Sequence, residues 1–449
     1  MYADTVYRRT AAGVSGVQKS LLEEKTKRMN KSKKKPARIA LICGIAAVLA
    51  AVILIYSHFG GFGTGACADT AEFSKYASDV SALTIPDEVQ VVALGEATHG
   101  NAEFQRLKLS VFRNMVEKYG IRAFALEGDF GGCEAVNRYI HGGDGTAADA
   151  AAAIGFAIYR TAEMEELISW MRSYNETAAD GDDLRFYGFD MQRVAYNYRY
   201  LLEAAKNHGI NTAELEAMWD GENNAYSDAY SSEQRLEALA AVRDSLPESD
   251  AQAIHFADIL MQNITLGSAG AEYSVVRDGM MAENALWVLR QEQERGNRRI
   301  FISAHNGHVE RLGSYNGGGR VTGNILADEL GAAYYAIGTD FYKSVCNLPK
   351  GGNGQRLTRT FYSHDPLAKA AAECGFDEIC LDFSLVPDES PLNAYIRENI
   401  RMGSLGESYV PLIMDLLPVS YRVMRSPAEL YNAMIFVADA HPTEIKPAA

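Results

Sequence analysis

The stretch Val91–Asp129, VVALGEATHGNAEFQRLKLSVFRNMVEKYGIRAFALEGD, leaves the chain few ways to fold. A short apolar run, Val91 to Leu94, stops at Gly95 and is followed at once by Glu96, Thr98 and His99, which reads as a buried strand emptying into a polar turn. From Asn101, a candidate cap, Phe104, Leu107, Val111, Phe112, Met115 and Val116 recur near helical spacing until Gly120 closes the run. A second apolar run, Ala123 to Leu126, delivers Glu127 and Asp129. Strand, helix and strand in so short a span make a βαβ unit, and its right-handed crossover lays both strands parallel with their carboxyl ends on one edge. Glu96, His99 and Glu127 are expected to meet there, where open α/β sheets bind ligands.

The pattern continues downstream. Further strands are expected at Arg185–Phe189, Arg299–Ala304 and Ala332–Gly338, ending in Asp190, in His305 with His308, and in Asp340. Residues 377–383 and 433–438 can add two more. A small amphipathic helix is expected over 69–84, and helices at Glu134–Ile140, Thr146–Ala157 and Thr161–Tyr174. Residues 196–293 read almost entirely as helix, more than a crossover needs, and are expected to form a helical cap over the sheet edge. A glycine-rich loop, Tyr315 to Gly319, follows the fourth strand. If the sheet is parallel, all these strand ends converge on one rim.

Charge divides the chain. Residues 1–38 hold eleven Lys or Arg against three Asp or Glu, and residues 39–449 hold 32 against 55. An acidic body of that size repels phosphate backbones, so nucleic acid is not expected as a partner. The basic segment abuts IALICGIAAVLAAVILIY (39–56), an uncharged run whose helical length of about 27 Å approaches the bilayer core. The expected order is a basic cytoplasmic segment (1–38), a transmembrane anchor (39–58), a linker with a short helix (59–84) and a catalytic domain (85–449) outside the cell. The competing reading is a cleaved leader, since Ala66-Cys67-Ala68 resembles a small-residue cleavage site, but the leader and its apolar run are long for a signal peptide. Six cysteines are too few for a disulfide scaffold, and Cys374 and Cys380 are read as free thiols rather than a pair.

The residue types at the rim suggest hydrolysis. A neutral His99 can take a proton from water attacking an ester carbonyl, with Glu96 holding the other ring nitrogen; the plainer reading has Thr98 and His99 capping the next helix. Glu127 can orient the water or a second imidazole, or merely pair with Arg106 or Lys108. Glu103 lies one helical turn beyond His99 and can join the same network. Of His305 and His308, one can donate to the developing oxyanion or to the leaving alcohol. Asp129 and Asp190 are supporting candidates. A metallohydrolase drawing ligands from His99, Glu127, Asp190, His305 and His308 is chemically acceptable, but no HExxH or other zinc spacing supports it. No Gly-x-Ser-x-Gly elbow or Walker A loop occurs. Tyrosines clustered at 187–200 and 226–230 can line a roomy cleft or simply pack helices on the sheet.

The blocks GEATHG with EFQRLK, FALEGD, AVNRYIHG, YRTAEMEELISWMRSYN, RFYGFDMQ, RDGMMAEN and ISAHNGHV, in this order, resemble the erythromycin esterase family over roughly residues 85–445. The resemblance implies a histidine at position 99 that activates water directly, without an acyl-enzyme or a metal, and a macrolide-type lactone or other ester as substrate. At position 108 the macrolide-hydrolysing members usually carry arginine; lysine keeps the charge but loses the bidentate fork. The reading as a whole is an α/β enzyme, a three-layer sandwich with a mostly parallel central sheet and a helical cap, preceded by one transmembrane helix. No cofactor is expected. The alternative of another class is a surface protein that keeps the fold and captures a ligand without turnover.

Overall fold

In the computed structural model, which describes residues 3–58, 62, 65–313, 319–351, 354–406 and 408–447, the expected apolar runs become strands of one sheet. The chain divides into two units, Met1–His58 and Phe59–Ala449. The first is a helix, α1 (Ala3–His58), whose segment Arg38–His58 has a mean hydropathy of 2.9 and is long and apolar enough to cross a membrane. Length and composition alone support that, and a signal sequence would pass the same test.

In the second unit the strands are β1 (Val91–Glu96), β2 (Ala123–Asp129), β3 (Arg185–Asp190), a short pair β4 (Trp219–Asp220) and β5 (Ala225–Tyr226), then β6 (Ile300–His305), β7 (Tyr334–Pro349), β8 (Arg356–Tyr362), β9 (Glu378–Asp382), β10 (Ile400–Gly403), β11 (Arg422–Arg425) and β12 (Ala433–Ala440). The main sheet runs β3-β2-β6-β1-β7-β12-β9, with β8 paired to β7. The pairs among β3, β2, β6, β1, β7 and β12 are parallel; β9 on β12 and β8 on β7 are antiparallel. Because β3, β2, β6 and β1 run parallel, with β6 and β7 on either side of β1, the ends of β1, β2, β3 and β6 all open on the same edge.

Alternate residues of the central strands feed two separate cores. Ala93, Ala125 and Ile302 join one, and Val92, Phe124 and Phe301 the other, so the sheet is covered on both faces. One cover comes from α3 (Ala102–Tyr119), α4 (Phe130–Ile140), α5 (Ala147–Ala153) and α6 (Ala162–Asn175). There Phe112 meets Phe124, Phe301 and Trp170, each contact of 5.2–5.8 Å between ring centres. A fully buried ring of this kind contributes about 2–3 kcal/mol. The other cover holds α7 (Ala195–Asn207), α8 (Ala213–Ala217), α9 (Ser232–Ser245), α10 (Ala251–Gly267) and α11 (Tyr273–Glu294), so residues 195–294 are mostly helical, interrupted by the β4–β5 hairpin and short connecting loops.

Several local expectations need correction. The helix expected over 69–84 is only α2 (Thr70–Tyr76) and a 3-10 turn at Val80–Ala82, because Ser78 forms a bridge with Cys380 at the sheet edge. The helix expected over Thr146–Ala157 stops at Ala153, and a 3-10 turn follows at Ala157–Tyr159. Asn101 stands at the N-cap of α3 but makes no capping bond; its amide donates to Val345 O and His441 O instead. β7 runs eleven residues past the expected Gly338, carried on by its pairing with β8. All six cysteines are free, Cys380 buried in β9 and Cys374 half-buried. The glycine-rich loop at 315–319, except Gly319, lies outside the described residues, as does much of the tether after α1.

Candidate active site

Parallel pairing sets Glu96, the last residue of β1, opposite His305, the last of β6. Gly95 is required just before it: a Cβ there would stand 2.2 Å from the Asn306 side chain, which locks β7 by donating to Thr339 O (2.7 Å) and accepting from Thr339 N–H (3.1 Å). Beyond Glu96 the turn is fixed by Ala97 N–H donating to Thr339 Oγ1 (2.9 Å) and Gly100 N–H to Thr98 Oγ1 (3.1 Å). His99 therefore leaves a rigid turn rather than a helix cap.

His99 is buried, and its Nδ1 lies 2.6 Å from Glu96 Oε1. The other oxygen, Oε2, accepts from Lys108 Nζ (2.6 Å) and Gln105 Nε2 (3.3 Å). Burial alone would raise the Glu96 carboxyl, but Lys108 and His99 outweigh it and hold it at about 2. An ionised carboxylate only accepts, so Nδ1 carries the proton and Nε2 the lone pair of the neutral ring.

A second histidine–carboxylate pair stands beside the first. A bulge between Leu126 and Asp129 interrupts the β2–β3 pairing and turns Glu127 toward β6, where Oε2 accepts from His305 N–H at 2.9 Å. Glu127 Oε1 lies 2.8 Å from Arg277 Nη2 and 3.3 Å from His308 Nε2. Burial opposes ionisation of Glu127, yet His308 and Arg277 hold it below the usual carboxylate range. His308 Nδ1 in turn lies 2.7 Å from Asp278 Oδ1. Arg277 also grips Asp190 through Nη2 and Nε, so one guanidinium ties the ends of β2 and β3 to α11. Burial works against that cation, but Asp190 and Glu127 push its pKa up.

His305 is used differently. Its Nδ1 accepts from Gly307 N–H (3.1 Å), and its Nε2 lies 3.2 Å from Leu405 O. Burial, then His99 and His308, lower it to about 3, so it is neutral with the proton on Nε2. Its ring centre is 5.3 Å from that of His99 and 6.3 Å from that of His308.

These groups line one cavity of about 190 Å³, formed by His99, Glu127, His305 and His308 with Arg277 and Gln192, and walled by Phe156, Ile158 and Gly406. Other sequence candidates lie off it. Glu103 accepts from Arg106 and from the main-chain N–H of His441, a separate network, and Arg106 is half-exposed. Lys108 contacts Glu96 from behind. Asp129 caps α4 through Gly132 N–H and binds Asn197. Asp340 accepts from Gly403 N–H and Ser363 Oγ. The tyrosines pack: Tyr198 stacks on Trp219 at 3.9 Å, and Tyr187 and Tyr226 donate to Glu292 and to Leu260 O. A groove of about 830 Å³ between α9, α10 and α11 shares no lining residue with the cavity. Arg277 and Asp278 open the RDGMMAEN block that carries part of the resemblance but were given no site role; an Arg-Asp pair early in a helix does not by itself show which edge it reaches. Among the described residues no group of three or more His, Cys, Asp or Glu is arranged to hold a metal.

The sequence pattern of the family described as erythromycin esterase matches residues 116–440. The chain belongs to the erythromycin esterase family. That match begins inside α3, downstream of Glu96 and His99. The chain is 25% identical to erythromycin esterase type II of Escherichia coli over 298 residues, 57% of this chain and 70% of that one. Among solved structures, a Bacillus cereus protein aligns with a TM-score of 0.67 at 20% identity, over 84% of this chain and 100% of its own. A succinoglycan biosynthesis protein gives 0.66 at 17%, over 84% and 98%. A mutant of the erythromycin esterase EreC in its open conformation gives 0.54 at 16%, over 79% and 91%. At these identities the structures speak for the fold alone, and the family speaks for a hydrolase acting on esters.

Proposed function

We propose that this protein cleaves a carboxylic ester or lactone with water activated by His99. The observation that carries the reading is the 2.6 Å contact between His99 Nδ1 and the ionised Glu96, which leaves Nε2 to act as base at a shared cavity. As water attacks the carbonyl carbon, Nε2 takes its proton and Glu96 supports the imidazolium. Collapse of the tetrahedral intermediate breaks the carbon–oxygen bond of the ester, and the proton that His99 Nε2 took from water passes to the leaving oxygen, while His308, its Nδ1 proton held by Asp278, presents Nε2 beside Glu127 to orient the attacking water. Arg277 and Glu127 hold the two histidine pairs in register. The neutral Nε2–H of His305 keeps the Leu405 main chain against the site.

The substrate proposed is an ester with modest groups on either side of the carbonyl. A cavity of about 190 Å³ is below the roughly 300–1,000 Å³ typical of sites that engulf drug-sized ligands, so a macrolide would have to present its lactone from the mouth. Residues 196–293 contribute Arg277 to that cavity, which supports the cap reading of this stretch and its part in specificity. The basic residues before Arg38–His58 support a retained anchor with the body outside the cell, and external protease on intact cells tests it: a body that survives while surface proteins are digested contradicts it. Hydrolysis itself is tested by mass spectrometry of a macrolide and of short-chain esters incubated with the protein in ¹⁸O-labelled water. One labelled oxygen in the released acid supports the reading; unchanged substrates across the panel contradict it.

A further inference from the structure

Large apolar side chains are exposed on the body mainly in one place. Of eleven such residues described from Phe59 onward, seven fall between Val410 and Met424, with Leu412 71% exposed. Scattered exposed leucines are ordinary, but a contiguous apolar surface marks an interaction site.

This surface is built on a fixed platform. Tyr409, Met414 and Tyr421 from the same segment are buried. Tyr409 N–H donates to Pro349 O (2.8 Å), Gly351 N–H donates to Tyr409 O (2.9 Å), and the Tyr421 ring lies 4.9 Å from Phe361. The helical turn Ile413–Leu416 therefore has a docked inner side and an outer side made of Leu412, Ile413, Leu416 and Leu417. Leu412 stands at φ 66°, a left-handed conformation that non-glycine residues rarely adopt.

The charge around the platform runs against that of the body. Residues 39–449 carry 32 Lys or Arg against 55 Asp or Glu, whereas segments 350–362 and 400–425, which pair with or frame the platform, carry six against two. Arg359 and Arg425 are exposed there, and the exposed acid of the turn, Asp415, accepts from the Tyr409 hydroxyl. An apolar tip inside a basic rim is complementary to hydrocarbon beneath anionic headgroups. The chain also holds a segment, Arg38–His58, able to cross a bilayer, and tethering would raise the effective concentration of a lipid surface at the body.

We propose that the 409–424 platform docks the catalytic body on an anionic lipid surface, with Leu412, Ile413, Leu416 and Leu417 entering the headgroup boundary and Arg359 and Arg425 meeting lipid phosphates. Just upstream, the same segment reaches the cavity: Leu405 O faces His305 Nε2, and Gly406 lines the wall. Docking brings the cavity to the interface, where acylated amphiphiles are concentrated. The proposal does not depend on the hydrolytic reading.

The test uses the full chain reconstituted in vesicles of phosphatidylcholine and phosphatidylglycerol, with ordinary or brominated acyl chains. Leu416→Trp is compared with Leu385→Trp, at an exposed leucine outside the platform. The expected result is that the emission added by Leu416→Trp is largely lost in brominated vesicles, while that added by Leu385→Trp is kept. Retention of both would show the platform facing water or another protein copy and would overturn the proposal; equal loss of both would overturn its assignment to this surface. Leu417→Trp repeats the measurement should Leu416→Trp lower the melting temperature.

Discussion

His308 Nδ1 lies 2.7 Å from Asp278 Oδ1, and the same oxygen accepts from the N–H and the hydroxyl of Thr322, each at 2.9 Å. The aspartate is thus held by a neighbouring helix before it meets the imidazole. It fixes the proton of His308 on Nδ1 and turns Nε2 toward Glu127. Asp278→Asn replaces an acceptor with a group that can donate to Nδ1, which reverses the tautomer. The expected result is a fall in kcat of about 100-fold or more with KM little changed and the melting temperature nearly kept. A wild-type kcat would remove His308 from the orientation of the water.

Arg277 carries a structural burden as well. Arg277→Ala leaves Glu127 and Asp190 buried without their cation, which costs about 3–5 kcal/mol. Chemical denaturation should show that loss, and Arg277→Lys should recover only part of it, since an ammonium cannot span both carboxylates as the guanidinium does.

Lys108 acts on the site through Glu96. In Lys108→Met the carboxylate keeps its burial and loses its strongest counter-charge, so its pKa rises from about 2. The acid limb of the kcat/KM profile should move upward by at least about one unit. Lys108→Arg, keeping the charge, should leave the limb where it was. A limb unmoved in the methionine variant would separate Glu96 from the essential ionisation.

Acid stability follows from the buried imidazoles. His305 is held at about 3 against an ordinary 6.5, and His255, by burial and Arg290, also at about 3. Below pH 6.5 the unfolded chain binds protons that the folded chain refuses, so stability falls as pH falls. Each of the two should cost about 2 kcal/mol between pH 7 and pH 5. The Glu96 contribution, from a depressed carboxylate, is complete above about pH 4.5 and is lost only as pH falls further toward 2. Denaturant melts at pH 7, 6 and 5 check the order of these losses; constant stability over that window would contradict the His305 assignment.

Much of this was legible because strands declare themselves by short apolar runs, and a parallel sheet sends their ends to one edge. Glu96, His99, Glu127, His305 and His308 all stand on such ends, and the structure brings them together. The residues that were not legible come from elsewhere. Arg277 and Asp278 sit on α11, which reaches the edge only through packing of the second core. Glu103 and Asp129 looked equally suited by position, but a helix turn and a bulge rotate their carboxylates to His441 and to the α4 amino terminus. Sequence order gives the edge a residue reaches; the last bond rotations decide the partner it meets there.

The most direct test of the account compares wild type with His99→Asn in hydrolysis of a chromogenic short-chain ester by the full chain in detergent. Asparagine keeps a polar side chain in the turn but has no basic nitrogen. The account predicts a fall in kcat/KM of about 100-fold or more at unchanged melting temperature. Turnover equal to wild type would mean that water is activated by some other group, and the assignment of His99 and Glu96 would fail.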